Sequence, residues 1–332
     1  MRAARMLLPL VAVTAAIATA PTSALAAVSP SLTRGVVDVT TTLGYQSGAA
    51  AGTGIVLTAT GEILTNNHVI RGATAVRVTD PSTGRSYAAT VAAYDPTNDI
   101  AVLRITGAAK PKPATLGNST SVKVGDRVTA VGNAGGVGGV PAAASGRVTA
   151  LRQSITAVDD DGTSEQLTGL IQMNAALQPG DSGGPLFDRA GRVIGVDTAA
   201  SSGFGFQQRA NVGLAIPINR ALNVVHLVDT GRPLATTHVG STAFLGVQVS
   251  AADNSTSGAV VAGVIAGSPA ESAGLTAGSV ITALNDQPVT SYTSITSLLL
   301  KQNAGSTVTL TWSDVDGVSH TASVQTASGP PQ

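Results

Sequence analysis

The sequence contains no cysteine. That excludes disulfide scaffolds, thiolate metal sites, iron–sulfur clusters and a cysteine nucleophile. Aromatic residues make up 3% of the 332 positions. Charged residues make up 11%, under half the roughly 25% typical of soluble domains. Nineteen basic side chains balance 19 acidic ones, for a formal net charge of zero. Nucleic-acid binders and proteins held on anionic lipid by charge need a basic excess, so neither class is expected. Imidazole is scarce as well, with His68, His226, His238 and His320 as the whole supply. Past residue 26 no apolar run approaches the ~20 residues that a membrane span needs. Small and aliphatic residues fill the chain instead. Hydrophobics at 43% are ample for packed cores, and the length suggests about two domains.

Arg2 and Arg5 precede a largely apolar stretch from Met6 to Ala20, and Ala24-Leu25-Ala26 supplies a small-x-small cleavage pattern. Residues 1–26 read as a signal peptide and the protein as exported: secreted, in the cell envelope or periplasmic. An uncleaved anchor is the lesser alternative. From Val36 to about Ala215, short β-type runs such as Ile100–Ile105 and Arg127–Val131 alternate with Gly, Asn, Asp and Pro. That pattern predicts an all-β barrel or sandwich without a βαβ rhythm. Pro217 to Val228 switches to helical spacing, with Ile218, Leu222, Val225 and the Leu227-Val228 pair on one face. Residues 231–243 lack a period and read as a linker. An α+β module spans residues 244–327, with a turn-helix at Ser268–Gly274 and a helix from Tyr292 to Gln302. The tail Ser328–Gln332 is expected to fray.

Chemistry concentrates in Gly180-Asp181-Ser182-Gly183-Gly184-Pro185. A serine hydroxyl attacks a carbonyl only if a base takes its proton and donors hold the oxyanion. Glycines around it let the backbone bend so that successive N–H groups, those of Gly180 and Ser182, converge on one point. The base is found by elimination. His226 lies on a helix, His238 in the linker and His320 in the second module. His68, in Thr65-Asn66-Asn67-His68-Val69-Ile70, sits at a predicted strand end where it can enter a cleft. Two carboxylates could orient it. Asp95 precedes Pro96 and reads as a turn residue, whereas Asp99 directly precedes the apolar run Ile100–Leu103 and is the preferred partner. The chain order His68, Asp99, Ser182 is one of the known triad orders and differs from the Ser-first order of α/β hydrolases.

On these residues, together with Gly52-Thr53-Gly54-Ile55-Val56 and Val131-Gly132-Asn133, the chain resembles the HtrA (Deg) family of exported proteases. The resemblance implies a mainly β fold: a chymotrypsin-like double β-barrel, residues 36–230, followed by a small α+β PDZ domain. It implies catalysis by His68, Asp99 and Ser182 and an oxyanion hole from the backbone of Gly180, Asp181 and Ser182. By position it bounds the primary pocket with Ala176, Thr198, Ala199, Ala200 and Gly213. These are small and uncharged, so the pocket should take Val, Ala, Ile or Leu. Phe244-Leu245-Gly246-Val247 resembles a PDZ carboxylate-binding loop for peptide C-termini, with Ile295 and Leu298 on the facing helix. Leu298 and its neighbour Leu299 could equally be core. The implied substrates are unfolded or misfolded proteins, with no cofactor, no metal and a homo-oligomer (trimer) open to the chain. A latent protease acting as a peptide-binding chaperone is the alternative. The family usually has Asn where this chain has Asp181. The stretch Gly135–Val140 is expected to be mobile, and Asp159-Asp160-Asp161-Gly162 reads as a solvated turn.

Overall fold

The computed structural model describes residues 29–108, 111–158, 164–198, 212–232, 234–250 and 257–332. The residues read as a signal peptide, the Asp159–Gly162 cluster and the pocket positions Ala199 and Ala200 lie outside them. After the short helix α1 (Pro30–Thr33), six strands close the first barrel. They are β1 (Val36–Leu43), β2 (Gly48–Val56), β3 (Glu62–Thr65), β4 (Ala75–Asp80), β5 (Arg85–Asp95) and β6 (Ile100–Ile105). Their order is β5-β4-β1-β2-β3-β6, and β6 returns to β5. Helix α2 (Asn67–Ile70) interrupts the chain after β3. The second barrel runs β10-β11-β12-β9-β8-β7. Its strands are β7 (Arg127–Gly132), β8 (Ala142–Val158), β9 (Ser164–Met173), β10 (Pro185–Phe187), β11 (Val193–Asp197) and β12 (Gly213–Pro217). Closure leaves neither sheet with long open edges, which suits a chain without covalent staples.

One buried cluster joins the barrels. Val36, Ile55, Leu64 and Ile100 of the first meet Val131, Phe187, Val196 and Ile216 of the second. Helix α3 (Ile218–Asp229) closes over this seam with Ile218, Ala221, Val224 and Val225 buried. The buried stripe is rotated from the expected one: Ala221 and Val224 are buried, and Leu222 is only partly buried. Pro217, expected in the first helical turn, is instead the last residue of β12 and the N-cap residue of the helix.

The residues that follow differ from a plain linker. His238 and Val239 form β13, which adds to the first barrel against Tyr94 and Ala93 of β5. The second module holds β14 (Thr242–Phe244), β15 (Val247–Val249), β16 (Ala259–Val264), β17 (Val280–Leu284), β18 (Gln287–Pro288), β19 (Thr307–Ser313), β20 (Ser319–Gln325) and β21 (Ala327–Gly329). Helix α4 (Pro269–Ala273) is capped by Ser268, and α5 (Tyr292–Leu299) by a Ser291–Ser294 capping box. The tail is not frayed. Residues 327–329 pair with β14, the Pro331 carbonyl accepts from the Gly72 N–H (2.8 Å), and the Gln332 carbonyl accepts from Asn67 Nδ2 (3.1 Å). Tyr94 and Thr242 share a buried hydroxyl bond (2.8 Å), and Tyr45 stacks on Phe244 at 5.1 Å. Sequence patterning missed these contacts because each is a single polar or aromatic pair between distant segments. Among the described residues, no helix is long and apolar enough to cross a membrane.

Candidate active site

Strand β3 ends at Thr65, extended Asn66 turns the chain, and α2 lifts His68 off the barrel rim. His68 therefore sits on a one-turn helix rather than at the strand end itself. Asp99 arrives from the opposite side. Pro96 opens a 3-10 turn that Asp95 caps by accepting from the Asn98 N–H (3.1 Å). The turn leaves Asp99 in the left-handed region, at φ +50°. That backbone is costly for a residue with a side chain, and it aims the carboxylate at α2. His68 Nδ1 lies 3.0 Å from each oxygen of Asp99, and the His68 N–H donates to Asp99 Oδ1 at 3.0 Å. Thr198 Oγ1 donates to Asp99 Oδ2 (3.3 Å), and Asn66 Nδ2 donates to the Asp99 carbonyl (2.8 Å). Asp99 is 3% exposed. A carboxylate against Nδ1 selects the tautomer protonated there and makes Nε2 the nitrogen that can accept a proton.

The Ser182 loop is fastened to the first barrel through Thr53. The Thr53 N–H donates to the Ser182 carbonyl (2.8 Å), Thr53 Oγ1 donates to the Gly180 carbonyl (2.7 Å), and the Asn133 N–H donates to Thr53 Oγ1 (2.9 Å). Thr65 Oγ1 completes the knot on the Thr53 carbonyl (2.7 Å). Gly183 has φ +83°, and a Cβ there would run into the Thr53 carbonyl and Thr65 Oγ1. The second barrel holds the other side: the Gly183 N–H donates to the Asp197 carbonyl, and the Asp197 N–H to the Gly184 carbonyl, both at 2.8 Å. Ser182, 4% exposed, is thus clamped between the barrels beside the strand end that leads to His68.

The Pro179 carbonyl accepts from the Gly135 N–H (2.7 Å). In a trans peptide the next N–H points the opposite way, so the Gly180 donor faces away from the Gly135 loop. Asp181 departs from the expectation of a three-donor oxyanion hole. Its N–H closes a turn onto the Gln178 carbonyl (3.0 Å), which leaves Gly180 and Ser182 as the two candidates. The Gly135–Val140 stretch is more restrained than its composition implies, since Asn133 Oδ1 accepts from the Gly138 N–H at 2.7 Å.

Beneath the loop lie two acids. Asp181 Oδ2 accepts from the Gln178 N–H (2.8 Å), but its Oδ1 is buried without a hydrogen-bond partner. Asp197 is fully buried with both oxygens unpartnered. Burial, offset in part by the Gln178 bond, pushes Asp181 up to about 6 from 3.8. Burial and then repulsion from Asp181 push Asp197 well above the ordinary carboxylate range.

Of the pocket positions, Gly213 is buried and faces the Ala175 carbonyl, Leu177 and Met173. Ala176 is exposed nearby. Thr198 is 7% exposed, and its hydroxyl serves Asp99. In the second module, Phe244-Leu245-Gly246-Val247 is the break between β14 and β15. Gly246 takes φ +82°, and its carbonyl accepts from the Ile265 N–H (2.8 Å). Leu245 and Ile295 are buried in the module's core, while Val247 and Leu298 pack partly buried against it.

A model of the trypsin-like peptidase domain matches residues 52–196, and a PDZ domain model matches residues 243–326. The serine protease PepD of Mycobacterium tuberculosis is 35% identical over 306 residues, which cover 87% of this chain and 63% of that protein. The periplasmic serine endoprotease DegP of Escherichia coli is 32% identical over 269 residues, covering 79% and 54%. The solved HtrA-type protease AlgW with a tripeptide superposes with a TM-score of 0.50 at 29% identity, covering 90% of this chain and 95% of the other. The chain carries a trypsin-like peptidase domain followed by a PDZ domain, and its relatives and structural neighbours are HtrA-type proteases. It spans 63% and 54% of the lengths of those two relatives. Within this chain, the trypsin-like domain carries the His68–Asp99 pair and the Ser182 loop, and the PDZ domain carries the Phe244–Val247 loop. Sequence reasoning gave no role to Thr53, Thr65 or Asn66, which hold Ser182 and Asp99 in place. Their signal was a run of small polar residues between glycines and at the end of a strand, where apolar residues are otherwise the rule.

Proposed function

We propose that the chain is an exported serine endopeptidase that cleaves unfolded or misfolded polypeptide. Residues 36–230 form its catalytic unit, and the module at residues 244–327 captures peptide C-termini at Phe244–Val247, with Leu298 on the facing helix. Ser182 attacks the scissile carbonyl, His68 Nε2 takes its proton and returns it to the leaving amine, and Asp99 holds the imidazole and stabilises its charged form. The N–H groups of Gly180 and Ser182 receive the oxyanion. The observation that carries this reading is the Asp99 carboxylate lying 3.0 Å from His68 Nδ1 and hydrogen-bonded to Thr198, beside a loop that fixes Ser182 through Thr53. Small side chains near Gly213 and Ala176 support cleavage after modest aliphatic residues. DegP, a relative named as periplasmic, supports an envelope location.

A protease that rests in a latent state is the second reading. The Asp181–Asp197 pair, with three of its four carboxylate oxygens unpartnered, favours it, because ionising an acid buried there destabilises the loop that must hold Ser182. Casein digestion by the purified protein beside its Ser182→Ala variant tests the primary reading. Cleavage by the parent alone is expected, and equal cleavage by both would move the nucleophile elsewhere. A parent that becomes active only below about pH 6 would favour latency.

A further inference from the structure

Three arginines meet on the outer face of the second barrel, at positions the proposed chemistry does not use. Arg127 of β7 and Arg147 of β8 are direct partners across the antiparallel ladder, so their side chains leave the sheet on one face. Arg189 follows β10 two residues after Phe187, which pairs with Thr129 of β7. All three line one groove of about 620 Å³. Like charges set opposite each other in a sheet repel, and a fold ordinarily answers them with a carboxylate. Here Asp188 is the acid in the groove wall, and both its oxygens are engaged. Oδ2 takes the Arg192 guanidinium at 2.7 Å, and Oδ1 accepts from the Ala190 and Arg192 N–H groups at 2.9 Å each. Arg147 has one internal partner, the Gly125 carbonyl at 2.8 Å. The guanidinium groups of Arg127 and Arg189 make no hydrogen bond or ion pair with any described residue. The groove therefore keeps an uncompensated positive charge on a chain whose total is zero.

Its other lining is polar and suited to a backbone. Thr129 and Ser145 share a hydroxyl bond at 3.1 Å on the same face, and Asn174 borders them. Asn174 is also the route to the cleft. Its N–H donates to the Arg147 carbonyl (3.1 Å), and the chain then runs directly into Ala175, whose carbonyl faces Gly213, and Ala176. The groove thus adjoins, along the chain, the segment that carries Ala175 and Ala176.

We propose that this groove is an exosite for acidic stretches of polypeptide substrate, whose Asp or Glu carboxylates are taken by Arg127, Arg147 and Arg189. Guanidinium forks match carboxylates in two-point contact, and unpaired arginines are pre-set to do so. The proposal rests on the endopeptidase reading. Its test is binding to the full chain carrying Ser182→Ala, so that no cleavage intervenes. A fluorescein-labelled oligoglutamate peptide should bind at least about tenfold tighter than an oligoglutamine of equal length, and added salt should weaken it. Replacing Arg127→Gln and Arg189→Gln together should weaken oligoglutamate binding by roughly tenfold. The unfolding temperature should not fall, since neither side chain has a partner among the described residues and the Arg127–Arg147 repulsion is relieved. Equal binding of the two peptides, or binding indifferent to the double replacement, overturns the proposal. Tight binding of inorganic polyphosphate without oligoglutamate binding also overturns it, in favour of a phosphate-polymer site. Because binding needs no nucleophile, a parent protein that fails to cut casein sinks the endopeptidase reading while leaving this result separately legible.

Discussion

Replacing Asp181 by Asn should stabilise the protein above about pH 4, with the full effect reached above about pH 6. Asp181 sits beneath the Ser182 loop with one oxygen on the Gln178 N–H and the other buried without a partner. Its folded-state pKa of about 6 lies some two units above the ordinary 3.8. At roughly 1.4 kcal/mol per unit, ionising it in the folded state costs about 3 kcal/mol. An acid raised in this way binds its proton more tightly folded than unfolded, so stability is greatest below about pH 4, falls as pH rises to about 6, and is level above. Burial and the neighbouring Asp181 charge push Asp197 in the same direction. Asn at position 181 keeps the acceptor for Gln178, presents an N–H₂ where Oδ1 had no partner, and removes the repulsion from Asp197. Thermal unfolding in a Ser182→Ala background should show the variant more stable by about 3 kcal/mol at pH 8, a rise of roughly 6–12 °C. At pH 4 the two proteins should unfold together. A parent whose stability climbs between pH 4 and 7, or a variant equally displaced at both pH values, would refute the reasoning.

Thr198→Val removes the hydroxyl that steadies Asp99 and should lower kcat about tenfold through a loss near 1.4 kcal/mol, with KM and unfolding temperature nearly unchanged. Thr53→Val leaves the Asn133 N–H and the Gly180 carbonyl unpaired in the interior; at about 1–3 kcal/mol each, a destabilisation of about 2–6 kcal/mol is expected by urea unfolding, along with loss of turnover. Gly183→Ala forces a methyl into the Thr53 carbonyl at a positive φ, so soluble, folded protein should not be recovered, whereas Gly84→Ala, at a positive φ in open space, should cost only about 1 kcal/mol.

The fold was legible where burial imposes a period. Short β-type runs announced a barrel or sandwich, the family resemblance implied that there are two barrels, Pro217 announced α3, and the turn-helix at Ser268 and the helix from Tyr292 were readable in the second module. The His68–Asp99 contact was legible because so few imidazoles and strand-edge carboxylates could supply it. Less legible were elements made by single long-range contacts. The β13 addition at His238–Val239 and the tail strand at 327–329 carry no pattern of their own, and each exists because an existing strand edge accepts it. Asp181 showed its limits in another way. Its place in the serine loop suggested an oxyanion donor, but its N–H is spent on a turn, and its side chain proves to matter through burial beside Asp197, a residue that sequence patterning hid inside an apolar strand. Thr53 was visible as a residue but not as a hub, since four hydrogen bonds through one threonine arise only after the barrels meet.

The most direct test of the central claim is the rate of labelling by a fluorophosphonate probe in the parent and in the Ser182→Ala, His68→Ala and Asp99→Asn variants. The account predicts a single label on Ser182 in the parent and none after Ser182→Ala. It predicts rates lower by orders of magnitude for His68→Ala and Asp99→Asn, the latter by up to about 10⁴-fold. Undiminished labelling in the Asp99→Asn or His68→Ala protein, or a label carried on a different serine, would contradict it.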